Sequence, residues 1–434
     1  MEHEKLPERF ALHRVDVWNA TGIQKNQDVI VSRGVVESIT PAGSQKCPER
    51  IFEGRGWALM PSGVDAQVHL RVPGQPEKET AETGLRASLR GGVGAILTMP
   101  NTKPVIDTPA VVELARSLVA KAERDTGVRV CLSAAMTLEQ KGVTPVDAHR
   151  LKQAGVRAFT DDGRGVASDE IMRAVFAANA GTGLPLLQHA EVPGHGCALA
   201  DGPVQSHLHL SPYPDEAEWK MVERDLRLLK EFPDQRYHVL HVSSARTVEL
   251  LAEAQKQGLK ATGETSPHHL LFTSEDISED DTSFKMNPPL RSASDRKVLR
   301  QALADGRLLF AATDHAPHEP AAKGTDFKKS AFGTTGLEAL FRVLLKLHLD
   351  GELPAKRLVE VFSSAPARFL GIDDEFGVIV PGRPFRAIWV NTEAPERPLV
   401  VEELESLSKN SCFLGVPLPG WVHAHFNAQG VFIF

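Results

Sequence analysis

The sequence predicts an α/β protein: a (β/α)8 barrel of the TIM type, carrying a small composite β domain formed by both chain ends. Three observations lead there. The middle of the chain alternates strand-like and helix-like runs, the pattern of stacked βα units. Almost every strand-like run ends in a polar residue able to hold metal or substrate, as expected where strand ends converge on one face of a barrel. Both ends of the chain read instead as short strands punctuated by glycine. A doubly wound sheet is the competing arrangement, but no glycine-rich phosphate loop follows the first strand.

In chain order, VDVWNA, QDVIVSRGVVESI and ERIFEGRGWALM form the N-terminal β unit. Eight barrel-strand candidates follow: MPSGVDAQVHL, GAILTMPN, RVCLSAAMT, VRAFTDD, PLLQHAE, RYHVLHVSS, LKATGETSP and LLFAATDHAPH. The clearest helix between them starts at Thr108-Pro109, a capping residue followed by a proline suited to the first helical position. Its apolar face is expected to be Val111, Leu114, Leu118 and Ala122. After Leu370 the strand style returns in FGVIVPG, FRAIWVN and GVFIF. The expected division is 1–58 and 369–434 for the two parts of the β domain and 59–368 for the barrel.

Composition narrows the function. The 434 residues are 42% hydrophobic and 24% charged, with net charge −7, an ordinary globular balance. Lys and Arg are scattered, so no nucleic-acid surface is expected. The charged start MEHEKLPERF has no signal-like apolar run, and no stretch is long enough to span a membrane. Cys47, Cys131, Cys197 and Cys412 are far apart, which argues against a disulfide framework and fits the cytoplasm.

The strand-end residues are Asp65, Gln67 and His69, then Asn101, Asp162, His189, His241, Asp314 and His318. Singly each has a bland reading, as a capping aspartate or a hydrogen-bonded histidine, and His238, His268 and His269 keep it. Together, at matching barrel positions, they point to a metal site. Neutral imidazole and carboxylate suit zinc with one position left for water. Bound zinc acidifies that water and polarises a carbonyl.

At these residues the chain resembles the dihydroorotases of the amidohydrolase superfamily, in the bacterial class with a metal-bridging aspartate. The matching segments are HLRVPG (69–74), KETAETG (78–84), MPNTKPVID (99–107), FTDDG (159–163), HAE (189–191), HVSS (241–244), KMNPPLR (285–291) and ATDHAPH (312–318), with FG at 332–333. The resemblance implies one or two zinc ions, with His69 and Asp314 on one, His189 and His241 on the other, and Asp162 between them; Asp161 then reads as structural. It implies that Arg71, Asn101 and His318 grip a substrate carboxylate, and that Asn287, Pro317 and Gly333 contact the ring. Asp314 would be the general acid/base in interconverting N-carbamoyl-L-aspartate and (S)-dihydroorotate. The segment EPAAKGTDFKKSAFG reads as a lid. Expected partners are this small molecule, with a homodimer or association with aspartate transcarbamoylase also compatible.

One departure matters. The family opens its metal site with His-x-His, and Gln67 occupies the first position. If a four-ligand site is worth roughly 10–16 kcal/mol, one ligand carries on the order of 3 kcal/mol, or about a hundredfold in affinity. Val72 and Val192 replace residues that are usually acidic. Two alternatives follow: an impaired, dihydroorotase-like partner of the transcarbamoylase, and another cyclic amidohydrolase of the dihydropyrimidinase or allantoinase type. The latter normally carries a bridging lysine where FTDDG stands.

Overall fold

The computed structural model describes residues 1–54, 56–194, 198–278 and 281–434; Cys197 lies outside them. Its centre is a parallel sheet of eight strands in sequential order: Gly63–Val68, Val93–Thr98, Arg129–Ala134, Ala158–Thr160, Leu186–Gln188, Tyr237–Val239, Ala261–Thr265 and Phe310–Ala311. All eight expected barrel strands are present. Runs such as VGAILT are apolar throughout and buried at every position, as a strand covered on both faces requires. A parallel bridge between Val68 and His315 joins the two ends of the sheet, and the His69 N–H donates to the His315 carbonyl at 2.8 Å. Below this seam the Asp65 carboxylate accepts from the Thr313 N–H (3.0 Å) and hydroxyl (2.5 Å), tying the first strand to the eighth.

A second sheet takes strands from both chain ends. In spatial order these are Glu2–Glu4, Gly430–Ile433, Val422–Asn427, Ala387–Val390, Ala58–Pro61, Arg9–Asn19, Gly22–Ser32 and Val35–Pro41, with Ile51–Glu53 beside Arg9–Asn19. Phe10, Leu12, Val29, Phe385, Trp389 and Phe426 fill its core. His425 fastens this sheet to the barrel. Burial holds its imidazole down at about 4, so the neutral ring lies 2.8 Å from the Ser62 hydroxyl and 3.3 Å from the Leu89 carbonyl.

Three local expectations are corrected. FGVIVPG forms no strand: Gly377 and Gly382 adopt positive φ, and the Asn19 amide replaces a neighbouring strand by bonding both the N–H and the carbonyl of Ile379 at 2.9 Å. The helix Pro109–Thr126 begins after Thr108 as expected, but the Thr108 side chain makes no capping bond. That helix also buries Val112, Ala115, Val119 and Ala122, leaving Leu114 and Leu118 at 40% and 48% exposure. Two apolar stripes lie one residue, about 100°, apart. Packing selects the slimmer one, whose alanines permit close approach. The strand Val422–Asn427 was not anticipated, although VHAHFN alternates apolar and polar residues as a half-buried strand does.

Candidate active site

The carboxyl ends of the barrel strands surround a cavity of about 170 Å³. His69, Arg71, Asn101, Asp162, His189, His241, Asn287, Asp314, His318 and Gly333 all line it. Two expected residues do not reach its wall. Gln67 lies on the first strand, two residues before His69 and so on the same inward face. Pro317 is buried, and its carbonyl accepts from Arg71 Nε at 3.2 Å.

Asp162 stands at the centre. Its Oδ2 lies 3.0 Å from His69 Nε2, and His69 Nε2 is 3.1 Å from Asp314 Oδ1. Its Oδ1 lies 3.3 Å from His189 Nδ1 and 3.6 Å from His241 Nε2. Each carboxylate oxygen therefore addresses a separate group of donors, and within each group the ligand atoms lie within 4.8 Å of one another. Atoms this close, all carrying lone pairs, need positive charge among them, from imidazole protons or from a cation. Burial by itself pulls the His69 imidazole down, but Asp162 and Asp314 lift it to about 9. Burial likewise opposes protonation of His189, which Asp162 and Glu191 raise to about 10. Burial would lift Asp162, yet the surrounding histidines hold it well below the usual carboxylate range.

The outer hydrogen bonds suit metal ligation. His69 Nδ1 is paired with Asn101 Oδ1 at 2.9 Å, and His189 Nε2 with Glu191 Oε2 at 3.0 Å. In each ring the other nitrogen is left facing Asp162, as in histidines that bind metals. Asn101 is thus engaged with His69, and its amide nitrogen also approaches the Asp162 carbonyl at 3.5 Å. Gln67 is fully buried, and neither its amide oxygen nor its nitrogen has a hydrogen-bond partner. A buried, unpaired amide is costly, and a cation nearby is one way to satisfy its oxygen. The donor set fits a metal.

Arg71, His241 and Asp314 hold their side chains from left-handed backbone, with φ of 60°, 34° and 49°. For residues with a Cβ this costs on the order of 1–3 kcal/mol each. It also turns each side chain away from the strand direction. Gly74, in the same HLRVPG turn, has no choice of residue: its φ is +89° and a Cβ would lie 1.8 Å from the Lys103 carbonyl oxygen.

Arg71 Nη2 donates to His318 Nε2 at 3.2 Å. Burial and the adjacent guanidinium push His318 down to about 2, so its ring is neutral and its unpaired Nδ1 carries a hydrogen. Asp161 accepts the Met136 and Thr137 N–H groups (2.8 and 3.1 Å), as expected of a structural residue. On the barrel floor, burial raises Asp65 to about 7 and holds Glu264 well above its usual range. His238 is pushed down to about 3 by burial, and its Nε2 lies 3.2 Å from Glu264 Oε2.

The sequence reading quoted Glu191, Gly163 and Phe332 within matching segments without giving them a role, and it gave none to Glu264. Glu191 was the most accessible of them: it lies two residues beyond His189 in the HAE segment, and it also accepts from Asn287 Nδ2 at 2.8 Å. Phe332 reaches the cavity from the segment 319–333. That segment contains a short helix, Pro320–Lys323. The Lys323 ammonium pins it by bonding the Ala331 and Gly333 carbonyls at 2.9 and 3.0 Å.

The amidohydrolase family model matches residues 58–422, and the chain belongs to that family. The family implies a metal cofactor, which the two donor groups accommodate. Among relatives, proteins named dihydroorotase align over most of the chain. One from Desulforapulum autotrophicum is 36% identical, covering 94% of this chain and 95% of its own. One from Thermus aquaticus is 37% identical over 94% and 96%, and one from Anaeromyxobacter dehalogenans is 40% identical over 81% and 82%. Among solved structures, an L-hydantoinase (dihydropyrimidinase) from Arthrobacter aurescens superposes with TM-score 0.85 at 24% identity, covering 97% of this chain and 95% of that one. At that identity the likeness shows the fold.

Proposed function

We infer that the chain is a dihydroorotase, a cyclic amide hydrolase interconverting N-carbamoyl-L-aspartate and (S)-dihydroorotate. The observation that carries this reading is the buried Arg71 guanidinium, in the same cavity as two donor groups that share Asp162. A ring bearing a carboxylate would give that cation an anionic partner in the cavity; an uncharged hydantoin ring would supply none.

His69, Asp162 and Asp314 would hold one ion and Asp162, His189 and His241 a second, with zinc the ion best suited to this nitrogen and oxygen set. When bound, zinc supplies Lewis acidity toward the ring carbonyl and the attacking water. Arg71 and the Nδ1–H of His318 orient the substrate carboxylate, and Asn287 and the backbone around Gly333 contact the ring. Asp314 takes the proton of the attacking water and passes it to the departing amide nitrogen. In ring closure it takes the ureido proton instead. Association with a second copy, or with aspartate transcarbamoylase, is compatible with this role.

The unpaired Gln67 amide favours a second reading, an impaired relative acting as a structural partner. Metal content and dihydroorotate hydrolysis, measured for wild type beside Gln67→His, separate the two. The first reading expects stoichiometric metal and turnover in the wild type. Turnover only in the variant establishes the second.

A further inference from the structure

The composite sheet carries a polar cluster that has no part in the barrel chemistry. The strand Arg9–Asn19 is irregular between Leu12 and Val15, where its pairing with Gly22–Ser32 shifts register, and Arg14 adopts φ 58°. This break brings the His13 ring onto Asp28 of the neighbouring strand, with Nδ1 2.5 Å from Asp28 Oδ1. The Asp28 side chain is fully buried. Its two oxygens also accept the Arg14 and Gly43 N–H groups at 3.1 and 2.8 Å. On the other side the free thiol of Cys47 lies 3.9 Å from Asp28 Oδ2. The three potential ligand atoms lie within 4.8 Å of one another.

The contact between His13 and Asp28 is short, yet His13 Nδ1 makes no hydrogen bond of acceptable geometry. The ring nitrogen and the carboxylate oxygen are in ion-pair contact, and with the thiol sulfur they converge on one small volume. Nitrogen, oxygen and sulfur donors together suit a borderline-soft divalent ion, with zinc–nitrogen distances of about 2.0 Å and zinc–sulfur of about 2.3 Å. Cys47 lies between the strands Val35–Pro41 and Ile51–Glu53, so an ion here would anchor that connection to the sheet.

We propose that His13, Asp28 and Cys47 form a second, separate binding site for a zinc-class divalent cation, with water completing its shell.

Cobalt(II) substitution of the full-length protein tests this, because among the described residues neither donor group of the barrel contains a cysteine. Stripped protein reloaded with cobalt should develop the intense near-ultraviolet absorption of a cobalt–thiolate bond. Cys47→Ser should abolish that band and lower bound metal by about one ion per chain, while amide hydrolysis is unchanged. His13→Gln should weaken cobalt binding at the same site at least tenfold. Circular dichroism confirms that each variant is folded. Absence of the band in the wild type, or a band of undiminished intensity in Cys47→Ser, overturns the proposal. This outcome is independent of whether the barrel hydrolyses dihydroorotate.

Discussion

At the scale of single residues, a few side chains carry most of the chemistry. Asp314 belongs to one donor group and is the proposed proton carrier. Asp314→Asn should therefore lower turnover by about 10²–10⁴-fold, the usual range for loss of a general acid/base, with the fold intact; a rate within threefold of wild type would remove Asp314 from that role. Gln67→His should tighten the first metal by about a hundredfold, equivalent to roughly 3 kcal/mol, as read by competition with a chelator. The His69–Asn101 and His189–Glu191 pairs show why such residues must be judged by what stands behind them. HAE and MPNT were visible as motifs, but which ring nitrogen each partner would engage depends on strands that are remote in sequence.

At the scale of elements, the helix Pro109–Thr126 was located from sequence by Thr108, Pro109 and its apolar spacing, yet its buried face was assigned one residue out of phase. Hydrophobic periodicity locates a helix more securely than it selects between adjacent stripes. The two stripes make opposite predictions in chemical denaturation. Val119→Asp places a charge at a site 2% exposed and should cost about 3 kcal/mol or more; Leu118→Asp, at a site 48% exposed, should fall within about 0.5 kcal/mol of wild type. The reverse order would restore the original stripe. A second test concerns Glu338, which accepts the Glu405 N–H at 2.7 Å. Burial raises its folded-state pKa to about 8, against about 4.3 in an unfolded chain. Its stabilising contribution is thus present below about pH 4 and is lost as pH rises toward 8, amounting to a few kcal/mol at most. Glu338→Gln should flatten the fall in melting temperature across that interval; an identical slope would place the titration elsewhere.

At the scale of the whole molecule, the two chain ends are bound together and then to the barrel. The Asn19 amide holds both backbone groups of Ile379, 360 residues away, and His425 lies between Ser62 and Leu89. Removing the Asn19 amide leaves a buried N–H and a buried carbonyl unpaired, at about 1–3 kcal/mol each. Asn19→Ala should therefore lower global stability by about 2–6 kcal/mol, measured by denaturant titration. A change near zero would mean that the FGVIVPG segment contributes little to holding the ends together.

The sequence by itself determined the βα alternation, the strand-rich ends and the ligand types at the strand termini. These are local properties: periodicity, punctuation by Gly and Pro, and short motifs such as ATDHAPH that place polar residues beyond apolar runs. Only the tertiary structure decided which atoms meet. It brought the two oxygens of Asp162 to separate donor groups, buried Gln67 without a partner, and turned Arg71, His241 and Asp314 inward through left-handed backbone. It also set His13 and Cys47 on either side of Asp28. Each outcome depends on contacts between segments distant in the chain, where packing and burial outweigh local preference.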